Sequence, residues 1–276
     1  MSQDSGILGG KLFEYIDELL GRLRKTIIAF VVIFFSFFLL GPISVRFDGL
    51  TLYYPFPSFY GSFSVHILEL MRIYLVPHKM TLIQVAPFDI VVSVVYISLA
   101  ISISFIIPII AFQLISFSRT ALYPRERKAV TLSIVPTIIL FVVGAIFSLK
   151  LILPLLFHFI YVFTTVVGVA PYLGVAQFVS IVVLITAGMG AVFETPVIVF
   201  SLSYIGLVPP STWLKNWRYA VIGAFFVALL ISPGATGGIM ETTIAMIIIA
   251  LYFSGALLAR WALSKKINVE QKPAVS

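Results

Sequence analysis

The chain alternates between long apolar stretches without a charge and short segments in which charged residues cluster. Long windows without Asp, Glu, Lys or Arg include residues 26–45, 90–118, 129–149, 151–193, 219–240 and 242–259. A helix needs about 20 apolar residues to cross the hydrocarbon core of a bilayer. The period-two alternation of a membrane β-strand is absent from these windows. The pattern therefore predicts membrane-spanning helices.

The window 151–193 is long enough for two spans, so the number of spans depends on it. It contains Pro154, His158, Gly168 and Pro171, which suit the end of a third span followed by an outer loop. A seventh span would also place Lys215, Arg218 and the basic C-terminal tail on the outer side. Six spans are the prediction.

Loop charge orients these spans, because Lys and Arg accumulate on the cytoplasmic side. With both termini inside, the inner segments hold 14 of the 18 Lys and Arg residues. The outer segments hold only Arg46, Arg72, Lys79 and Lys150. The bias predicts that both termini are cytoplasmic.

The segments between the spans predict two amphipathic helices. Residues 12–25 carry apolar side chains on one helical face, which predicts an interfacial lead-in helix. A second amphipathic helix is expected at 64–75, within the outer loop 46–86 that caps the outer face. The fifth span, 219–231, is short and ends at a Ser-Pro-Gly turn.

The predicted fold is all-α: one integral membrane domain, residues 1–276, with six transmembrane helices. Residues 1–25 are the cytoplasmic lead-in, 26–261 the six-span bundle and 262–276 a cytoplasmic tail. Composition agrees, since 61% of the residues are hydrophobic and only 11% charged, against about a quarter in soluble domains.

Composition and motifs also exclude several functions. The net charge of +7 comes from short basic clusters beside spans, so no nucleic-acid surface is predicted. There is no cysteine, and His66 and His78 lack a metal-ligand spacing. No catalytic motif is present. No metal, no cofactor and no enzymatic activity are predicted.

Glu194 is the charged residue most in need of an explanation, because it stands alone between two long apolar runs. A carboxylate at such a depth costs about 2.5 kcal/mol or more and should have a partner. That partner is either another span of this chain or a bound molecule. Pro196 removes one backbone hydrogen bond and crowds the carbonyl of Val192, which opens the backbone at the same depth.

The acidic residues of the two inner segments have a simple structural interpretation. Glu18 lies on the polar face of the lead-in helix with Arg22, where such charges are commonly just solvated. Glu126 stands among four basic residues and would relieve their repulsion.

Four segments, in order, resemble the TatC family of the twin-arginine translocation system. They are Tyr15-Ile-Asp-Glu-Leu-Leu-Gly-Arg-Leu23, Ala121-Leu-Tyr-Pro-Arg-Glu-Arg127, Gly190-Ala-Val-Phe-Glu-Thr-Pro196 and the span beginning Trp217-Arg-Tyr. The resemblance covers about residues 12–262. It implies Sec-independent transport of folded proteins by a multi-pass protein of the inner (cytoplasmic) cell membrane.

The resemblance also implies residue roles and partners. Glu18 and Glu126 would bind the consecutive arginines of a twin-arginine signal peptide, with Arg22 orienting Glu18. Glu194 would contact a TatA-type or TatB-type single-span membrane protein, and Gln113 is a further polar contact for assembly. The implied partners are cargo signal peptides, the small Tat protein, the lipid bilayer and further copies of the chain in a larger complex.

This sequence departs from the family pattern in two places. Tyr15 and Leu20 replace a common His and Arg, and Ser232-Pro-Gly-Ala235 replaces a Pro-Pro-Asp pattern. The role of the family's polar residue after that turn is not transferred to Glu241.

Two other functions are consistent with the residues. A proton-coupled transporter of a small solute could use Glu194 as its proton site, although the inverted repeat of such proteins is missing. An intramembrane enzyme would need a nucleophile and base pair, and none is recognisable.

Overall fold

The computed structural model describes residues 3–47, 50–118, 124–204, 206–232, 234 and 236–270. Side chains are described in the same ranges apart from residues 3–16, 18, 19, 45–47, 50–53, 108, 111–118, 124–134 and 265–270. The chain divides into two compact units, Met1–Glu69 with Val94–Leu122 and Leu70–Ser93 with Tyr123–Ser276.

Helices dominate both units. They are α1 (Gln3–Leu39), α2 (Phe63–Leu75), α3 (Asp89–Ser118), α4 (Pro124–Phe147), α5 (Leu153–Val167), α6 (Val175–Phe193), α7 (Thr195–Tyr204), α8 (Pro210–Lys215), α9 (Trp217–Ile231) and α10 (Ile239–Glu270). The strands are β1 (Leu40–Phe47), β2 (Leu50–Pro57), β3 (Thr81–Ile83) and β4 (Tyr172–Gly174).

The first unit contains the long helix α1, which joins two predicted elements. The expected lead-in helix and the first apolar run form one uninterrupted helix, because no proline or turn separates them. The hydroxyl of Thr26 donates to the carbonyl of Arg22 across the junction, at 3.0 Å. The lead-in is therefore not a separate interfacial helix in this structure.

Strands replace part of the predicted outer loop. β1 and β2 pair as an antiparallel hairpin, with Leu40 opposite Pro57 and Phe47 opposite Leu50. In the second unit, β3 and β4 pair in parallel. The all-α prediction is thus too simple, although the chain is mostly helical. The predicted helix at 64–75 is confirmed as α2.

The second unit contains a long helical rod that joins α4 to α5. A π-helical turn, Ser148–Ile152, connects the two without a break. The rod ends at Gly168, whose φ of 78° suits glycine. The window 151–193 thus contains the end of this rod, the connection that includes β4, and helix α6. Lys150 lies exposed on this rod and not in a loop.

Four helical segments are long and apolar enough to cross a membrane in the part of the chain that the structure describes. They are Asp89–Ile107, Val135–Val167, Val175–Tyr204 and Ile239–Ser264. The fifth predicted span is the shorter helix α9, which ends at Ile231 before the Ser-Pro-Gly turn, as expected. The six-span count, the cytoplasmic termini, the outer-face cap and the single domain remain predictions.

A polar network fixes the short helix α8 in the second unit. The Trp213 indole Nε1 donates to Ser203 Oγ at 2.9 Å, and the Tyr252 hydroxyl donates to the Trp213 carbonyl at 2.8 Å. These bonds tie α8 to the end of α7 and to α10. They keep the connection to α9 in a defined position.

Candidate functional site

Glu194 lies at the junction of α6 and α7, where Pro196 interrupts the helical hydrogen bonds. Proline has no N–H to donate to the carbonyl of Val192, four residues earlier. The hydroxyl of Thr195 donates to that carbonyl instead, at 2.7 Å. The position of Pro196 in the sequence predicts an opened, polar backbone at this depth. The structure shows that a side chain closes the opening.

One carboxyl oxygen of Glu194, unlike the carbonyl of Val192, has no hydrogen-bond donor among the described residues. Its side chain is half-buried, and Oε1 is fully buried with no hydrogen-bond partner among the described residues. Such an atom costs about 1–3 kcal/mol, and more when it is charged. Of the two explanations for Glu194, pairing with another span of this chain thus gains no support from the described residues.

Glycines let neighbouring helices approach this junction closely. A Cβ at Gly255 of α10 would lie 2.7 Å from Pro196 Cα, and one at Gly144 of α4 would lie 2.6 Å from the Met189 carbonyl oxygen. Both distances are shorter than real Cβ contacts allow. The junction of α6 and α7 therefore packs so closely against α4 and α10 that only glycine fits at positions 144 and 255.

The helix register gives the position of Glu194 along the rod of α4 and α5. Ser148 Oγ donates to Thr186 Oγ1 at 3.0 Å, and the two helices run antiparallel. Eight residues further along α6, Glu194 lies near the level of Leu140. Leu140 is about 18 Å from Lys128 and about 15 Å from Lys150 at the rise of a helix. Glu194 is thus about midway between the basic residues that flank this apolar run.

An exposed helical face lies beside the Glu194 side chain. Ala191 and Ile198 stand three residues before and four residues after Glu194, and both are exposed, Ile198 by 52%. Ala187, one further turn away, is only partly buried. Small side chains on such a face let a second helix approach closely in a membrane.

Glu241 is a second acidic residue inside a candidate span, and its side chain is buried. It lies in the first turn of α10, inside the candidate span Ile239–Ser264, and is only 5% exposed. Its two oxygens accept hydrogen bonds from Ser232 Oγ at 2.7 Å and Thr236 Oγ1 at 2.9 Å. Glu241 therefore stabilises the turn between α9 and α10. In the sequence, the hydroxyl residues Ser232 and Thr236 on either side of Gly234 were the available signal for this cluster.

Replacing Glu241 by alanine is expected to destabilise the protein by about 1–3 kcal/mol, because the buried hydroxyls of Ser232 and Thr236 lose their acceptor. Thermal unfolding of the purified chain in detergent measures the change. Thr242→Ala is the matched control, since the exposed hydroxyl of Thr242 donates to the carbonyl of Gly238, just before its own helix, and to no other described residue. An unchanged unfolding temperature in Glu241→Ala would contradict the role of this cluster.

The other predicted site residues lie on described helices. Glu18 and Arg22 are on α1, Gln113 is near the end of α3, and Glu126 is in the first turn of α4. The structure does not describe the side chains of Glu18, Gln113 and Glu126. The side chain of Arg22 is described and is half-buried. Their roles stay predictions. In the described part of the chain, no group of three or more His, Asp or Glu side chains is arranged to bind a metal ion.

Several apolar helices define a polytopic helical membrane protein, and one of them is interrupted beside a buried carboxyl oxygen that has no partner within the described part of the chain. The family model TatC, described as Sec-independent protein translocase protein, matches residues 14–251. The chain therefore belongs to the TatC family, which confirms the resemblance noted in its sequence. It is a component of a Tat translocase, which works in protein transport and contains further Tat components.

Individual relatives match along most of their length. The TatC protein of Cenarchaeum symbiosum is 29% identical over 248 residues, which cover 89% of this chain and 93% of the relative. The TatC protein of Escherichia coli K12 is 27% identical over 260 residues, which cover 94% of this chain and 92% of that relative. A crystal structure described as the twin-arginine translocase receptor TatC has the same fold, with a TM-score of 0.71 and 24% identity. The match covers 90% of this chain and 99% of the chain in that structure. None of these comparisons favours a proton-coupled solute transporter.

Proposed function

We propose that this chain is the receptor subunit of a twin-arginine translocase. It binds the signal peptides of folded cargo at the cytoplasmic face of the cell membrane and recruits a TatA-type single-span protein. Three features support the proposal: membership of the TatC family, the charge bias of the loops, and the buried Oε1 of Glu194, which finds no hydrogen-bond partner in the described ranges. The last of these carries the recruitment step.

The proposed recruitment step follows from the free-energy cost of burying the Glu194 carboxyl oxygen without a hydrogen-bond partner. A buried carboxyl oxygen without a partner is stabilised by any incoming group that donates a hydrogen bond at its depth. The exposed face with Ala187, Ala191 and Ile198 fits one apolar helix that carries a polar side chain near its centre. A single-span protein with such a side chain is a partner of that chemistry.

Signal-peptide binding is assigned to Glu18 and Glu126. A guanidinium presents a planar fork of donors that a carboxylate accepts with both oxygens, so two acids suit two consecutive arginines better than lysines. Glu126 lies in the first turn of α4, where the helix dipole favours an anion. Arg22 stands one helical turn after Glu18 and can orient its carboxylate. Gln113 is proposed as a further polar contact for assembly.

Replacing Glu18 or Glu126 by alanine is expected to weaken binding of a twin-arginine peptide about tenfold or more, because a charge-assisted hydrogen bond contributes about 1.5–3 kcal/mol. Binding of a labelled peptide to the purified full chain measures the effect. A peptide with two lysines should bind more weakly to the unaltered chain and should lose less affinity in either variant.

Asp17→Ala is the matched control, because this exposed acid lies next to Glu18 but has no assigned role. It should leave peptide affinity unchanged, and all three variants should keep the unfolding temperature of the parent. Unchanged affinity in both Glu18→Ala and Glu126→Ala would refute the assignment of the binding site.

A further inference from the structure

Four aromatic side chains form an exposed surface on the first unit, beyond the end of α1. They are Tyr54 (43% exposed), Phe56 (47%), Phe59 (39%) and Tyr60 (91%). The rings lie in edge contact as two pairs, Tyr54 with Phe56 and Phe59 with Tyr60. We call these four residues the aromatic surface.

The backbone holds this surface against the last turn of α1. The N–H of Ser58 donates to the carbonyl of Leu39 at 2.8 Å, so the chain returns to the end of the helix after the β1–β2 hairpin. The ring of Phe59 packs edge-on against Phe38, with centroids 5.3 Å apart. A Cβ on Gly41 would overlap the carbonyl oxygen of Gly61, so only glycine allows the two segments to lie so close.

The segment also lacks the charges of a water-facing loop. No Asp, Glu, Lys or Arg occurs between Asp48 and Glu69. On α1 itself, Phe35 and Leu39 are exposed beside Phe38, so the bare apolar face of the helix continues into the aromatic surface. This continuity indicates that both surfaces meet the same surroundings.

We propose that the aromatic surface lies in the interface between the lipid headgroups and acyl chains, on the side of the membrane where α1 ends. Tyrosine is enriched at this level because its ring is apolar while its hydroxyl reaches hydrated headgroups. The hairpin therefore rests on the bilayer as an anchor that fixes the depth and rotation of α1. A tilt of α1 would lift the rings into water or draw the tyrosine hydroxyls into hydrocarbon.

The chain is well suited to a direct test because it contains no cysteine. Tyr60→Cys removes a side chain that makes little internal contact, and a nitroxide attached there reports its surroundings. The full chain is reconstituted in vesicles of phosphatidylcholine and phosphatidylglycerol. Collisions of the nitroxide with dissolved oxygen and with a water-soluble nickel chelate are then compared. Val32→Cys on α1 is the lipid-facing control, and Lys79→Cys is the water-facing control.

The ratio of oxygen to nickel collisions at position 60 is expected to exceed that at position 79 severalfold and to fall below that at position 32. It should not change when the protein is diluted with lipid. A ratio equal to that at position 79 would overturn the proposal. So would protection that disappears on dilution, since it would show that a second copy of the chain covers the surface.

Discussion

Glu194→Leu is expected to raise the stability of the purified protein while it abolishes export of a folded reporter with a twin-arginine signal peptide. The stability gain, about 1–3 kcal/mol, comes from removing a buried oxygen that has no partner among the described residues. Export fails because the partner helix loses its contact at the centre of the bilayer. Thermal unfolding in detergent and transport into vesicles that contain the TatA-type partner measure the two effects.

Glu194→Gln separates charge from hydrogen bonding, because the amide keeps the shape and still accepts a hydrogen bond. It should retain more export than the leucine variant. A loss of stability in Glu194→Leu would show that the carboxylate is paired within the chain. The structural explanation for this residue would then replace the functional one.

Gly255→Ala is expected to destabilise the bundle by about 1–3 kcal/mol, because the added methyl group overlaps the backbone of Pro196 and α10 must move away from α7. Pro196 is two residues from Glu194, so the shift should also reduce recruitment of the partner. Thermal unfolding and the same export assay provide the two measurements.

Gly223→Ala is the matched control for this prediction. Gly223 also lies inside an apolar helix, α9, but a Cβ there meets nothing within 4 Å. Alanine favours a helix over glycine, so this variant should be as stable as the parent or slightly more stable. Equal unfolding temperatures for Gly255→Ala and the parent would contradict the close packing of α10 on α7.

The helices could be predicted where local signals define them. The start of α2 and the end of α9 fall within one residue of the prediction, since periodicity and the Ser-Pro-Gly turn are encoded locally. Membership of the TatC family was also accessible, because its motifs are short and contiguous. Glu194 could be selected as a costly charge in an apolar run.

The hairpin of β1 and β2 could not be predicted in the same way. Pro42, Pro55 and Pro57 argue against strands, and the pairing depends on the return of the chain to Leu39. The hydrogen-bond partners of the buried acidic groups could not be predicted from the sequence either. The pairing of Glu241 depends on the three-dimensional positions of Ser232 and Thr236, which no spacing rule supplies. Nor does any spacing rule show that Glu194 Oε1 is buried without a partner among the described residues.

The central claim is that Glu194 docks the single-span partner, and crosslinking tests it most directly. A photoreactive benzophenone side chain at the exposed Ile198, one turn from Glu194, is activated in vesicles that contain the full chain and the TatA-type protein. We predict an adduct between the two proteins that is lost when Glu194→Leu is added to the same chain. An adduct of equal yield in both, or no adduct in either, would contradict the claim.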